Sequence, residues 1–158
     1  MRILVISDTH GKVGAIAKVI EKHSDINNIF FLGDLTRDIE AIKEEYKQKN
    51  YYIVSGNCDG FSFYKNTDMC IINSVKILFT HGHTYGVKGG IERLCEAARQ
   101  RECKLVLFGH THAPLSVYDN GVTVVNPGSL TCSRQGGNTY AIIDVLPSGI
   151  VTSIMQTE

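Results

Sequence analysis

Apolar residues in this chain come in short dense runs, and most runs end at glycine beside a polar side chain able to hold a metal. Arg2 to Ile6 is compact and β-branched, the pattern of a strand covered on both faces. Val13 to His23 follows, with Ile16, Ala17, Val19 and Ile20 at roughly helical spacing. Asn28 to Leu32 reads as a second strand that stops at Gly33-Asp34. The charged segment Ile39 to Lys49 predicts an exposed helix, with Ile39 and Ile42 inward and Glu45 paired with Lys49 four residues on. Tyr51 to Val54 is a third strand and leads to Gly56-Asn57. This βαβαβ order implies a parallel sheet flanked by helices.

The pattern then changes. Asp68 to Ile72 and Val75 to Phe79 are apolar runs around Asn73-Ser74, which predicts a hairpin. Ile91 to Arg101 is a helix with Ile91, Leu94, Cys95 and Ala98 on one face, and Lys104 to Phe108 is another buried strand. Leu115 to Tyr118 and Val122 to Val125 flank Asn120-Gly121, a type I′ hairpin signal. Tyr140 to Val145 and Ile150 to Met155 flank Pro147-Ser148-Gly149 as a last hairpin. The expected architecture is one α/β domain over residues 1–158, with two stacked mixed β-sheets and helices outside.

Composition narrows the function classes. A formal net charge of zero argues against general nucleic-acid binding, which draws on a basic excess. The five cysteines are odd in number and form no C-x-x-C pair, so they read as reduced thiols of a cytoplasmic protein. The run Ile3-Leu4-Val5-Ile6 is too short for a signal-peptide core, and no stretch reaches the length of a membrane span. No membrane partner is expected. Symmetric assembly is common for small soluble domains, so a homo-oligomer stays open.

The candidate chemistry sits where the strands end. Asp8, His10, Asp34, Asn57, His81, His110 and His112 occupy five short signatures: Ser7-Asp8-Thr9-His10-Gly11, Gly33-Asp34, Gly56-Asn57-Cys58-Asp59, His81-Gly82-His83 and Gly109-His110-Thr111-His112. Open α/β sheets gather ligands beyond the carboxyl ends of their strands. Taken singly, Asp-x-His reads as a capped turn and Gly-Asp as a plain one; the ordered set points to metal. Carboxylate, amide oxygen and imidazole together suit manganese, iron, nickel, cobalt or zinc. If one carboxylate bridges two cations, six ligands remain, three for each. The expectation is a dinuclear centre whose bridging hydroxide attacks a small phosphate ester. Two divalent cations against Asp8 and Asp34 leave about two positive charges, which favours an anionic substrate.

Other residues carry plainer readings. His23, near a helix C-terminus, is a solvated or dipole-favoured histidine without a role. Tyr51, Tyr52, Phe61, Phe63 and Tyr64 read as core or rim packing, a lip over the substrate being the alternative for 61–64. Substrate recognition would come from that rim, with Tyr85 and residues 133–137.

From Ser7 through Asn126-Pro127-Gly128-Ser129 to Arg134, the chain resembles the calcineurin-like metallophosphoesterases, and within them the small YfcE-like phosphodiesterase subgroup. The resemblance rests on the ordered set D-x-H, G-D, G-N-x-D, H-G-H and G-H-T-H. It implies a four-layer αββα sandwich and a metal-dependent phosphodiesterase. It also implies that Asp8, His10, Asp34 and His112 hold one metal and that Asp34, Asn57, His81 and His110 hold the other. Asp34 would be the bridge, and manganese the usual metal.

One position departs from the broader family. Where many members carry Gly-Asn-His, with histidine protonating the leaving group, this chain has Cys58, as the small subgroup does. A thiol is a poorer donor than an imidazole, so aryl leaving groups should be favoured. The alternative for Cys58 is a small buried filler. Arg134 would meet phosphate in bidentate fashion. His83 would contact substrate or orient His81, and Asp59 would fix the turn around Asn57. The resemblance carries two alternative functions: a non-catalytic interaction scaffold, as in a retromer subunit of this fold, and a nuclease.

Overall fold

Alternation along β1 (Arg2–Ile6) sets the layering. Ile3 and Val5 belong to one buried cluster and Leu4 and Ile6 to another, because successive side chains of a strand point to opposite faces. The computed structural model describes residues 1–134 and 136–157. In the first sheet β2 (Asn28–Phe31) and β3 (Asn50–Ile53) run parallel to β1 on one side. On the other side, β9 (Thr139–Leu146) and β10 (Gly149–Gln156) add antiparallel, giving the order β10-β9-β1-β2-β3. The second sheet contains β4 (Thr67–Ile72), β5 (Val75–Thr80), β6 (Leu105–Leu107), β7 (Leu115–Asp119) and β8 (Val122–Asn126), in the order β4-β5-β6-β8-β7.

The sheets stack through one apolar layer in which Val5, Phe30 and Leu32 meet Ile77, Phe79 and Leu107. Phe30 and Phe79 pack edge to face with centroids 5.1 Å apart. Helices α1 (Val13–Lys22) and α2 (Thr36–Lys43) cover the first sheet with Ile16, Ile20, Ile39 and Ile42. Helix α3 (Glu92–Gln100) covers the second with Leu94, Cys95 and Ala98. The four-layer architecture is the one expected, and the three hairpin turns fall at the expected residues. Among the described residues, no helix is long and apolar enough to cross a membrane.

Three local expectations fail. Helix α2 starts at Thr36 and ends at Lys43 rather than spanning Ile39 to Lys49. Lys49 is buried and makes no pair with Glu45; its Nζ donates to the carbonyls of Ser24 (2.6 Å) and Ile26 (2.8 Å). Those carbonyls close the turn before β2 and need a donor, a stronger demand than a surface ion pair. Phe61 and Phe63 do not pack in the core but stand in solvent, whereas Tyr64 does lie against the helix-side cluster. His23 stands at the C-terminal end of α1, as expected, but is only partly solvated: its Nε2 lies 2.8 Å from the buried Tyr140 hydroxyl, and burial lowers its pKa.

Candidate metal centre

Five of the seven candidate ligands stand in left-handed backbone. Asp8, His10, Asp34, His110 and His112 have φ of 56°, 45°, 60°, 69° and 56°. Such conformations cost of order 1 kcal/mol each in non-glycine residues and persist where surroundings over-determine them. Here side chains do that. Asp38 accepts from the Thr9 hydroxyl (2.6 Å) and the Gly11 amide (2.7 Å). The Ser129 hydroxyl donates to the Asp8 carbonyl (2.8 Å) and that of Thr131 to the Thr9 carbonyl (2.8 Å). Asn126 Nδ2 donates to the Gly109 carbonyl (3.0 Å) and to Thr111 Oγ1 (3.0 Å). Asp59 fixes the turn at Asn57, as expected, by accepting from the amides of Gly56 (2.6 Å) and Thr36 (2.5 Å).

The structure brings all seven candidate ligands together. Asp8, His10, Asp34 and His112 form one group, with a ligand atom from each lying within 4.8 Å of the others. Within it His10 Nε2 is 3.3 Å from His112 Nε2 and 3.9 Å from Asp34 Oδ2, and His112 Nε2 is 3.2 Å from Asp8 Oδ1. Beside it, His81 Nε2 lies 3.3 Å from Asp34 Oδ1, 3.2 Å from Asn57 Oδ1 and 3.2 Å from His110 Nδ1. Donor atoms bound to one cation at ~2.1 Å stand ~3.0–3.4 Å apart in octahedral or tetrahedral geometry; most of these separations match that range, and the 3.9 Å between His10 and Asp34 would close as an ion is held.

Lone pairs converge here. His81 Nδ1 donates to the Leu32 carbonyl (2.7 Å) and His112 Nδ1 to the Cys132 carbonyl (2.9 Å), which leaves the Nε2 lone pairs facing inward. Asp8 Oδ2 is satisfied by the Ser7 hydroxyl (2.5 Å) and the His110 amide (3.1 Å), while the buried Oδ1 accepts no hydrogen bond among the described residues. A buried carboxylate oxygen among lone pairs calls for a cation. A proton on His112 would answer part of the demand: the Asp8 carboxylate, placed to accept from it, holds His112 above its ordinary pKa. Burial works to raise the Asp8 carboxyl, but His112, His81 and Ser7 together keep it below the usual value. Burial, with the charges of His81 and Lys88, pushes His110 down to about 4, so it is neutral at physiological pH.

The second-tier residues resolve differently. Cys58 is exposed rather than a buried filler; its amide donates to Asp34 Oδ1 (3.0 Å), and partial burial with the Asp34 charge raises its thiol pKa. His83 begins a 3₁₀ turn (His83–Tyr85) and sits with its ring centroid 5.4 Å from His81 and 6.1 Å from His110. Its Nε2 faces Asn66 Nδ2 at 2.9 Å, and its Nδ1 is buried without a hydrogen-bond partner among the described residues. The Arg134 amide donates to the His112 carbonyl (3.2 Å), and its guanidinium charge opposes protonation of His112. Gln135, within the expected rim, lies outside the described residues. Sequence reasoning missed Asp38, Asn66 and Thr131. Asp38 had left a signal, since it stands four residues before Ile42 on the inward face of α2.

The sequence profile of the calcineurin-like phosphoesterase superfamily domain matches residues 1–147. This chain belongs to that family. Phosphodiesterase YfcE of Escherichia coli (strain K12) is 25% identical over 169 residues, spanning 91% of this chain and 88% of YfcE. A Streptococcus pneumoniae TIGR4 protein described as a predicted phosphoesterase superposes with a TM-score of 0.79 at 23% identity, covering 98% of this chain and 97% of that one. Vps29 from Entamoeba histolytica, complexed with zinc, superposes with a TM-score of 0.74 at 20% identity, covering 98% of each chain. The two superpositions establish the family's fold.

Proposed function

We propose that this protein is a metal-dependent phosphodiesterase that hydrolyses small phosphate esters at a dinuclear centre. The observation carrying this reading is the placement of Asp34, whose Oδ2 faces His10 while its Oδ1 faces His81. A carboxylate turned to two sets of imidazoles is what a bridging ligand requires. Asp8, His10, Asp34 and His112 would hold one ion, and Asp34, Asn57, His81 and His110 the other. Manganese is the first choice for this mixed oxygen and imidazole set, with nickel, iron, cobalt or zinc as alternatives. Bound there, such ions supply Lewis acidity toward water and the phosphoryl oxygens.

The chain's own residues supply the rest. Asn57 contributes a neutral amide oxygen, which keeps the net charge of the site positive toward an anionic ester. Left-handed turns hold the ligands ready, so little reorganisation accompanies substrate binding. His83 acts as a positioning residue, its ring set against His81 and His110 and its Nδ1 buried. Arg134, its main chain bonded to that of His112 and its charge felt there, is a candidate phosphate contact. The Cys58 thiol stays protonated at neutral pH and donates weakly, so leaving groups that depart as stable oxyanions are favoured.

Release of 4-nitrophenol from bis(4-nitrophenyl) phosphate, dependent on added manganese, tests the proposal. Asp34→Asn and His81→Ala should abolish it. Activity that survives in those variants would assign the chemistry to another centre. No activity in the metal-loaded wild type would favour the non-catalytic scaffold reading.

A further inference from the structure

We infer that Phe61 and Phe63 form an aromatic seat for a planar group of the substrate, a nucleobase or aryl ring, beside the proposed phosphoesterase centre on which this inference rests. Phe61 is 89% exposed and Phe63 96% exposed, yet their rings meet edge to face with centroids 5.5 Å apart. Large apolar side chains paired in water need an explanation that one scattered surface phenylalanine would not. Slack in the loop does not supply it, since the chain on either side is pinned. Asp59 is bonded to the amides of Gly56 and Thr36, and the Ser55 hydroxyl donates to the Tyr64 carbonyl (2.9 Å). Tyr64 packs against the helix-side core while its hydroxyl reaches Glu40 and Lys43. Both ends are therefore held, and the two rings are displayed.

What they face points to the occupant. A shallow pocket of about 380 Å³ lies between the rings and Thr36, Arg37 and Glu40 at the start of α2. That size suits a small ring system, within the range of small-molecule sites. Thr36 is two residues from Asp34 and Phe61 is four from Asn57, and the amides of Thr36 and Gly56 share the Asp59 carboxylate, which ties the pocket wall to the turns that carry those two ligands. The Arg37 guanidinium is exposed and takes part in no ion pair among the described residues, leaving it available to a ring face or an anionic oxygen. A phosphate at the metal centre with a stacked base on these rings describes a nucleotide-like ester.

Competitive inhibition separates the base from the phosphate. Adenosine 5′-monophosphate and ribose 5-phosphate share the phosphate and sugar and differ only in the base. Against bis(4-nitrophenyl) phosphate turnover by the manganese-loaded full chain, the nucleotide should inhibit about tenfold more tightly, the worth of one stacked base. In the double variant Phe61→Ala, Phe63→Ala the ratio should fall to near one, with the ribose 5-phosphate constant unchanged. Phe61→Trp in the wild-type background should preserve or raise it. A ratio near one in the wild type, or one that survives the double substitution, overturns the seat; unchanged inhibition with loss of capture of a protein partner would instead assign the rings to docking. Absence of turnover in the wild type would overturn the phosphodiesterase proposal and the seat together, whereas turnover with a ratio of one overturns the seat alone.

Discussion

The main-chain N–H of His110 donates to Asp8 Oδ2 at 3.1 Å, joining residues 102 apart and tying the end of β6 to the end of β1. With the Ser7 hydroxyl, that bond anchors one carboxylate oxygen and leaves the other buried and unanswered. One bond thus links the two sheets and orients the acid. In the metal-free fold His112, His81 and Ser7 offset the burial of that charge, a part that a cation would take over.

Asp8→Asn separates these roles. The amide can keep the acceptor anchored by His110 and Ser7 while removing the charge. Because its partners hold the Asp8 carboxyl below the usual value, the metal-free variant should melt somewhat lower than the metal-free wild type. Manganese at a hundredfold excess over its dissociation constant should stabilise the wild type by about 2.7 kcal/mol. The variant should show little of that rise in thermal melts. A full manganese shift in Asp8→Asn would remove Asp8 from the ligand set.

Acid should loosen the metal-free protein through His110. Its folded pKa is pushed down to about 4 from 6.5, so between those values the unfolded chain binds a proton that the folded chain refuses. The stability from this group is present above pH ~6.5 and is lost as pH falls toward 4. His112 runs the opposite way, contributing below its unfolded value and fading as pH rises through its raised folded pKa. Melting temperatures from pH 7 to 5 should fall less steeply in His110→Gln than in the wild type. Equal slopes would rule out this origin.

Two glycines of the same composition should respond in opposite directions. A Cβ on Gly56 would sit 2.1 Å from Asp34 Oδ1 and 2.6 Å from the Asp34 amide nitrogen, so Gly56→Ala must displace the carboxylate facing both halves of the cluster. The expected cost is about 1–3 kcal/mol of stability, with manganese affinity reduced. Gly14, in the first turn of α1, has nothing within 4 Å of that position. Gly14→Ala should therefore stabilise by roughly 0.5–1 kcal/mol through helix propensity alone. Denaturant midpoints for both variants check the pair; a stabilised Gly56→Ala would contradict the close approach.

These cases mark what a linear reading can and cannot reach. Asp8, Asp34, His81 and His110 were legible because each follows an apolar run at once, and strand endings are a local signal. The four layers were legible for the same reason: β1 is apolar at every position from Ile3 to Ile6, which only a strand covered on both faces tolerates. Asp38 was missed because its function lies in accepting from Thr9 and Gly11, 29 and 27 residues upstream. Lys49 was misplaced because helical spacing to Glu45 is visible along the chain, while the carbonyls of Ser24 and Ile26 become its partners only once the fold brings them close. Phe61 and Phe63 were expected in the core or at its rim, with a lip over the substrate as the alternative, since composition cannot tell a buried phenylalanine from an exposed one.

Cys58 offers the sharpest test of leaving-group chemistry. Its amide is committed to Asp34 Oδ1, so a side-chain exchange should leave that backbone contact intact. The thiol pKa is raised, first by burial and then by the Asp34 charge, which keeps the proton on a weak donor. Cys58→His would introduce a group with a pKa of ~6.5 and a stronger N–H donor. An alkyl leaving group needs that proton far more than 4-nitrophenolate does, and general-acid assistance is worth about 10²–10⁴-fold. In manganese-loaded protein, kcat/KM for methyl or nucleoside esters without an aryl group should rise by at least tenfold in Cys58→His, with little change for bis(4-nitrophenyl) phosphate. Cys58→Ser should leave both substrates near the wild-type values. If histidine raised both equally, the gain would come from the metal centre rather than from proton donation, and Cys58 would have no part in setting the leaving group.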